Sequence, residues 1–364
     1  MRIVLDATVL QNPFTGVAKV TLALYQACLA LQPTLQIEAW HRRPLAGQLP
    51  AQISSYQFGA YLPQRLWQQF ALPLVAMWQA PPLMHFPWNG KLPRVGVPRT
   101  GVVITLHDVL PLIIPNYFST EQAEQAYRQQ IQRDLDRAHL LITDSTYSQQ
   151  SIMRNFKVRS EPLVILGAPT LSVLPSAHSG NPVKTADYFL YVGGYDPRKG
   201  LMPLLNVFLA LHEAKKLTSR LILTGTPYYF SAEFKQLVDK GKQLGIIEEK
   251  GYITDAELVT MFKEAQALLY PSKYEGFGLP PLEAMALGCP VLTTPYTSLP
   301  EICGEAALYA DPADTASLAE AILALEHQPD LRRVLQQKGL AQARKFSWTT
   351  SAERYLQALE RLIL

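Results

Sequence analysis

The sequence predicts an α/β chain built as two domains, each a parallel sheet with helices on both faces. Three observations carry this. The chain has 364 residues, about two domains at the usual ~100–200 residues each. Short apolar runs alternate with longer helical patterns along its length, as in parallel sheets covered by helices. The alternation breaks at Pro175-Ser176-Ala177-His178-Ser179-Gly180-Asn181-Pro182, a turn-rich run that reads as a linker. Two such domains bracket a cleft, the usual ligand position in open α/β folds.

In the first half, strands are expected at Arg2–Asp6, Gln36–Trp40, Leu83–Phe86, Val102–Leu106, Leu140–Thr143 and Leu163–Leu166. Helices are expected over Val17–Leu31, Glu121–Arg137 and Ser148–Asn155. The second half gives strands at Tyr188–Val192, Arg220–Thr224, Ala267–Tyr270 and Val291–Thr293. Its helices run through Met202–Ala214, Ser231–Leu244, Asp255–Lys263, Leu282–Leu287 and Thr315–His327. A last helical pattern after Phe346-Ser347-Trp348 places Trp348, Tyr355 and Leu359 on one face. That face suits packing back on the first domain or one more helix on the second, and the pattern does not choose.

Hydrophobic residues make up 48% and charged residues 17% of the chain, so it can bury large cores and is not disordered. Lys+Arg 33 against Asp+Glu 30 gives +3, too little for an obligate nucleic-acid binder. Residues 1–170 carry 14 basic and 9 acidic side chains, +5, leaving −2 for the remainder. A mildly basic first domain fits an acidic acceptor at a membrane surface. Cys28, Cys289 and Cys303 form no CxxC pair, which points to a reducing compartment. Met1-Arg2-Ile3-Val4-Leu5-Asp6 enters a strand-like run at once, so no signal peptide is expected and the location is expected to be cytoplasmic.

From Arg65 to Lys91 no charge intervenes, but Gln68, Gln69, Gln79, Pro73, Pro81 and Pro82 interrupt the run, so it does not span a membrane. An apolar helix followed by a buried strand is the leading reading of 66–90. A surface touching a bilayer or a lipid-linked substrate is the other.

The chemistry concentrates in Tyr270–Val291, a strand end, a Gly-rich loop and a helix beginning near Pro280 or Pro281. Gly276 and Gly278 let backbone approach a ligand, and a helix N-terminus offers N–H groups to an anion. Glu275 and Glu283 flank that loop, a pairing suited to a polyhydroxylated, phosphorylated ligand. Gly276-Phe277-Gly278-Leu279-Pro280-Pro281 has Pro281 at the third glycine of a dinucleotide fingerprint, which argues against a dehydrogenase. Gly193–Gly200 lacks P-loop spacing and no HExxH occurs. The two carboxylates alone would also suit a glycoside hydrolase, which gives no reason for an anion loop between them.

The block EGFGLPPLEAMALGCPV, with seven residues between Glu275 and Glu283, resembles the signature of retaining glycosyltransferases of the GT-B fold. TGVAK at Thr15–Lys19, TLHDVLPLIIP at Thr105–Pro115, TDSTYS at Thr143–Ser148, YVGGYDPRKG at Tyr191–Gly200, GYITDAEL at Gly251–Leu258 and PEICGEAALYADPAD at Pro300–Asp314 fit in the same order. The E-x7-E block is very specific and the others individually weak. The resemblance implies two Rossmann-like domains: an acceptor-side domain over 1–175 and a nucleotide-sugar domain over 183–345, with helix 346–364 available to pack back on the first. It implies a mannosyltransferase-like enzyme of surface polysaccharide assembly, moving a hexose from GDP-mannose or a UDP-sugar to a glycan or lipid-linked acceptor. A catalytically silent nucleotide-sugar-binding or scaffold protein on the same fold is the alternative.

By the same resemblance Glu275 binds sugar hydroxyls, and the backbone of Gly276, Phe277, Gly278 and Leu279 holds sugar and phosphates. Glu283 accepts from the ribose, and Lys199 with Arg198 neutralises the pyrophosphate. Tyr252 and Ile253 present backbone to the base, His107 sits near the reacting sugar, and Gly16 admits the donor phosphate. Many relatives carry an arginine where this chain has Gly194, leaving the phosphate to Lys199 and Arg198. No cofactor is expected. No metal is expected either, because the nearest Asp-x-Asp, Asp134-Leu135-Asp136, lies in a helical pattern that points the two apart.

Overall fold

The computed structural model describes residues 1–12, 15–45, 47–89, 92–171, 186–226, 229 and 231–363. The chain divides into two compact units, Met1–Gly167 with Ser347–Leu364, and Ala168–Phe346. The units thus meet in sequence at 167/168 and 346/347. The 175–182 run expected to be a linker lies outside the described residues, with the rest of 172–185.

In the first unit the order is β1 (Arg2–Asp6), α1 (Gly16–Leu31), β2 (Gln36–His41), β3 (Ile53–Gln57), α2 (Gln64–Leu66), a π turn at Trp67–Ala71, and α3 (Leu72–Gln79). Then follow β4 (Leu83–Phe86), β5 (Gly101–Thr105), α4 (Glu121–Leu135), β6 (Leu140–Thr143), α5 (Thr146–Asn155) and β7 (Leu163–Val164). The strands form one parallel sheet in the order β3-β2-β1-β4-β5-β6-β7. The order reverses beside β1, where an open sheet leaves a crevice at its carboxyl ends.

The second unit contains β8 (Tyr188–Val192), α6 (Leu201–Glu213), β9 (Arg220–Thr224), α7 (Ala232–Gln243), β10 (Ile247–Gly251) and α8 (Asp255–Glu264). It continues through β11 (Leu268–Leu269), α9 (Leu279–Ala286), β12 (Val291–Thr293), α10 (Leu299–Cys303), β13 (Leu308–Tyr309), α11 (Thr315–His327) and α12 (Pro329–Ala343). Its parallel sheet runs β10-β9-β8-β11-β12-β13, reversing beside β8.

The chain then returns to the first unit with α13 (Trp348–Ile363). Ala352, Tyr355, Leu356 and Leu359 are buried with Tyr25, Cys28 and Leu29 of α1, and Trp348 packs at their edge. Tyr355 also joins a buried polar cluster. His85 Nδ1 lies 2.7 Å from the Tyr25 hydroxyl and 3.2 Å from that of Tyr355, and its Nε2 is 2.8 Å from Thr105 Oγ1. Burial pushes the His85 pKa down to about 3, so the ring is neutral and its polar atoms are satisfied by hydroxyls.

The uncharged stretch forms the expected apolar helix and the buried strand β4, and the helix is buried on one face only. Trp67, Leu72 and Ala76 enter the core with Trp40 and Met84, whereas Leu66, Phe70, Leu74, Met77 and Trp78 face outward. The extra residue of the π turn, where the Leu72 N–H reaches the Trp67 carbonyl, keeps Trp67 and Leu72 on the same inner face.

Because α13 supplies fully buried side chains to the first unit's core, truncating one of them leaves a cavity. Leu359→Ala should cost about 2–5 kcal/mol, read by urea denaturation, while exposed Glu360→Ala should change stability little. Equal effects would mean that the helix is not an integral part of that core.

Candidate active site

The ends of β8 and β11 are neighbours in the second unit, and the loops that leave them carry the charged residues singled out by sequence. After β8, Asp196 caps a single turn at Pro197–Lys199 by accepting from the Arg198 amide, and Gly200 then starts α6 with φ +66°. A Cβ on Gly200 would sit 2.1 Å from the Pro271 carbonyl oxygen. Only glycine allows this approach, and it brings the β8 loop against the one leaving β11. The Lys273 amide donates to the Arg198 carbonyl at 2.9 Å across the junction.

At this junction Glu275 is held from several sides. Lys199 Nζ donates to its Oε1 at 2.5 Å, Tyr270 donates to the same oxygen at 2.7 Å, and Arg198 reaches Oε2 at 3.4 Å. Lys199 also donates to the Tyr270 hydroxyl at 3.0 Å, and Arg198 donates to the Tyr274 carbonyl at 2.6 Å. Burial works against a charged Glu275, but Lys199 and Arg198 outweigh it and hold the carboxyl below its ordinary range. Burial, reinforced by Arg198, draws the Lys199 pKa down against the pull of Glu275. Burial and the nearby carboxylate push the Tyr270 hydroxyl well up, so it remains a donor.

The loop is braced from behind by residues the sequence reading passed over. Thr297 Oγ1 accepts from the Glu275 amide at 3.1 Å, and Ser298 Oγ lies 3.0 Å from the Glu275 carbonyl and 2.8 Å from that of Phe277. Gly278, at φ +110°, precedes α9 and leaves Leu299 the space a side chain would take. The helix starts at Leu279, so Pro280 and Pro281 occupy its first turn and contribute no N–H. The backbone donors at this end therefore lie in the Gly276–Gly278 loop and the helix's first residue, Leu279, which narrows the expected anion site. One turn on, Glu283 is buried and accepts from the Thr170 hydroxyl at 2.8 Å and its amide at 3.3 Å.

Tyr252 and Ile253 follow β10, with Tyr252 exposed, before Thr254 caps α8 in a capping box with Glu257. Gly194 has nothing within 4 Å of a would-be Cβ, so the position has room for a side chain. His212 is half-buried, its ring tilted against Phe208 with centroids 5.1 Å apart, and it bonds to the Ser219 carbonyl.

The first unit carries the two other candidates. Gly16 is the first residue of α1, capped by Thr15, with open space where a Cβ would stand. His107 follows β5 and is nearly buried. Its Nδ1 donates to Asp144 Oδ2 at 2.6 Å and its Nε2 to the Pro87 carbonyl at 3.1 Å, while its amide donates to Asn89. Burial opposes a charge on the ring, yet Asp144 and the Pro87 carbonyl raise its pKa to about 9. His107 is thus an imidazolium at neutral pH with both N–H groups engaged. Asp144, just after β6, was missed as a partner; its only signal is an acid at a strand's carboxyl end.

The raised pKa makes a signed prediction. A His whose pKa rises from 6.5 to about 9 on folding adds stability that is complete below pH 6.5 and is lost as pH climbs through 9. Asp144→Asn removes most of that gain, so the wild type should exceed the variant most at pH 6, by a margin shrinking toward pH 9.5. Urea denaturation at several pH values checks this, and a margin that grows with pH would refute the pairing.

Comparison with known proteins places this geometry. Residues 176–342 match the family described as Glycosyl transferases group 1. The chain is 28% identical over 384 aligned positions to O-antigen chain mannosyltransferase B of Escherichia coli, covering all of both chains. It is 28% identical to O-antigen chain mannosyltransferase RfbU of Salmonella typhimurium over 62% of this chain and 61% of that one. Among solved structures, sucrose-phosphate synthase from Thermosynechococcus elongatus superposes with TM-score 0.76 at 20% identity, over 100% of this chain and 99% of that one. WaaG, a glycosyltransferase involved in lipopolysaccharide biosynthesis, gives 0.74 at 16% identity over 98% of each. The chain has the fold of these glycosyltransferases, carries the Glycosyl transferases group 1 match in its second half, and is similar along its whole length to a mannosyltransferase.

Proposed function

We propose that the chain moves mannose from GDP-mannose, or glucose or another hexose from a UDP-sugar, to a glycan or lipid-linked acceptor in surface polysaccharide assembly, with retention of configuration. The observation that carries this is the cluster of Lys199, Arg198 and Tyr270 around Glu275. Lys199 and Arg198, the latter also 3.7 Å from Asp196, set two cations beside the Gly276–Leu279 backbone, where a diphosphate would meet them. On this reading the donor's phosphates take over Lys199 and Arg198, which frees the Glu275 carboxylate for sugar hydroxyls. The same cations then stabilise the pyrophosphate as the glycosidic bond breaks. Glu283 accepts from the ribose once Thr170 yields, the Tyr252 and Ile253 backbone meets the base, and Gly16 admits the donor phosphate. His107, charged and fixed by Asp144, is not a base, because neither ring nitrogen keeps a lone pair, and it donates to the reacting sugar once the Pro87 carbonyl yields its Nε2–H.

GDP-mannose is preferred because a mannosyltransferase aligns with the whole chain. Anabaena HepE, solved with UDP and glucose, shares the fold at TM-score 0.74 and 17% identity, over 99% of this chain and 100% of that one, and keeps UDP-sugars as the second choice. The site of action proposed is the inner face of the cytoplasmic membrane; no described helix is long and apolar enough to cross it.

The test separates the two carboxylates. Glu275→Gln should retain GDP binding yet abolish transfer. Glu283→Gln should weaken GDP itself by about 1–3 kcal/mol, the usual cost of a lost bond to a charged group. Calorimetry with GDP and UDP, with turnover of GDP-mannose, reads both, and identical profiles would sink the division of roles. Transfer should survive EDTA and give an α-linked product from an α-linked donor. EDTA sensitivity reversed by magnesium, or a β-linked product, would overturn those parts.

A further inference from the structure

The outward face of helix 64–79 is unusual for a surface. Leu66, Phe70, Leu74, Met77 and Trp78 stand at helical spacing and are 44%, 58%, 64%, 50% and 77% exposed. Tyr61, just before the helix, is fully exposed. Single exposed apolar residues need no explanation, but a contiguous row of large ones marks a contact surface.

The charge around this row is one-sided. Between Glu38 and Asp108 the sequence contains no Asp or Glu, yet it contains Arg42, Arg43, Arg65, Lys91, Arg94 and Arg99. Arg42 is buried and ties down the start of the helix, donating to Gln64 at 2.9 Å and to the Leu62 carbonyl at 2.9 Å. Arg43, Arg65, Arg94 and Arg99 are exposed, and among the described residues no carboxylate pairs with them. Arg65 sits on the helix beside Leu66, and the amide of Arg94 is held to the Gln69 side chain at 2.8 Å. The apolar row is therefore bordered by uncompensated positive charge.

We propose that this face docks the enzyme on a bilayer carrying anionic lipid, with Phe70, Leu74 and Trp78 at the acyl boundary and the arginines among the headgroups. A helix lying in the interface needs an apolar face and cationic flanks, and arginine and tryptophan suit that depth. A two-fold contact with a second copy would bring like charges together. The inference deepens the reading of a membrane-linked site of action and rests on that part of the proposed function, not on the donor chemistry.

The experiment is vesicle co-sedimentation of the full chain without donor or acceptor. The wild type should bind phosphatidylcholine vesicles containing phosphatidylglycerol, bind phosphatidylcholine alone far less, and lose affinity as salt rises. The combined variant Phe70→Glu, Leu74→Glu and Trp78→Glu should lose at least about tenfold in vesicle affinity, with GDP binding by calorimetry and the thermal transition unchanged. Arg65→Ser with Arg94→Ser should weaken binding to anionic vesicles only. Failure of the wild type to bind anionic vesicles, or equal binding by the triple variant, would overturn the proposal. So would conversion of a dimer to a monomer by these substitutions at constant vesicle affinity, which would assign the face to a second copy. GDP binding is read separately, so a failed membrane reading and a failed donor reading give different results.

Discussion

A buried carboxylate cannot stay charged without partners, and most of the second unit's upper edge exists to supply them to Glu275. Lys199 and Arg198 arrive from the β8 loop, and Tyr270 from the end of β11. Bringing those loops together requires backbone on backbone contact, which Gly200 permits and any side chain would block. Removing one partner of such a cluster leaves the others desolvated and unpaired, a far larger penalty than the cluster's net contribution to stability. The arrangement is therefore rigid and electrically poised. On the proposed reading an anionic donor competes with Glu275 for Lys199 and Arg198, and the carboxylate is released when it wins.

Parallel topology explains why these groups converge. Each sheet reverses its strand order once, beside β1 in the first unit and beside β8 in the second. The loops at the carboxyl ends on either side of a reversal diverge and leave room for a ligand. Lys199 and Glu275 leave the strands at one reversal, and Gly16 follows the strand at the other. His107 leaves β5, two strands along from β1, and is fixed by Asp144 from the end of β6.

Most of this frame was legible in the sequence because long apolar runs and helical periodicity are local signals. The strands at Arg2–Asp6, Leu83–Phe86, Tyr188–Val192 and Arg220–Thr224 fall where the pattern puts them. Of the four edge strands only Leu163–Val164 was expected: Ile53–Gln57 is mostly polar and exposed, Ile247–Gly251 reads Ile-Glu-Glu-Lys-Gly, and Leu308–Tyr309 is two residues long. The site's primary residues were visible through the dense Tyr270–Val291 block, whereas its supports were not. Asp144, Thr170, Thr297 and Ser298 act through contacts set by strand neighbours far away in sequence. In the uncharged stretch the helix and the buried strand Leu83–Phe86 fall as expected, but the helix turns only one side inward, and periodicity cannot say which apolar face meets protein.

The central claim is that Glu275 and its cations form one exchangeable cluster for the donor. A crystal structure of the chain with GDP-mannose tests it most directly. The account predicts Lys199 Nζ within hydrogen-bond distance of a phosphate oxygen and the Glu275 carboxylate accepting from sugar hydroxyls, with the Lys199–Glu275 bond broken or lengthened. A bound donor whose phosphates avoid Lys199 and Arg198, with Glu275 still on Lys199 and touching no sugar, would contradict it.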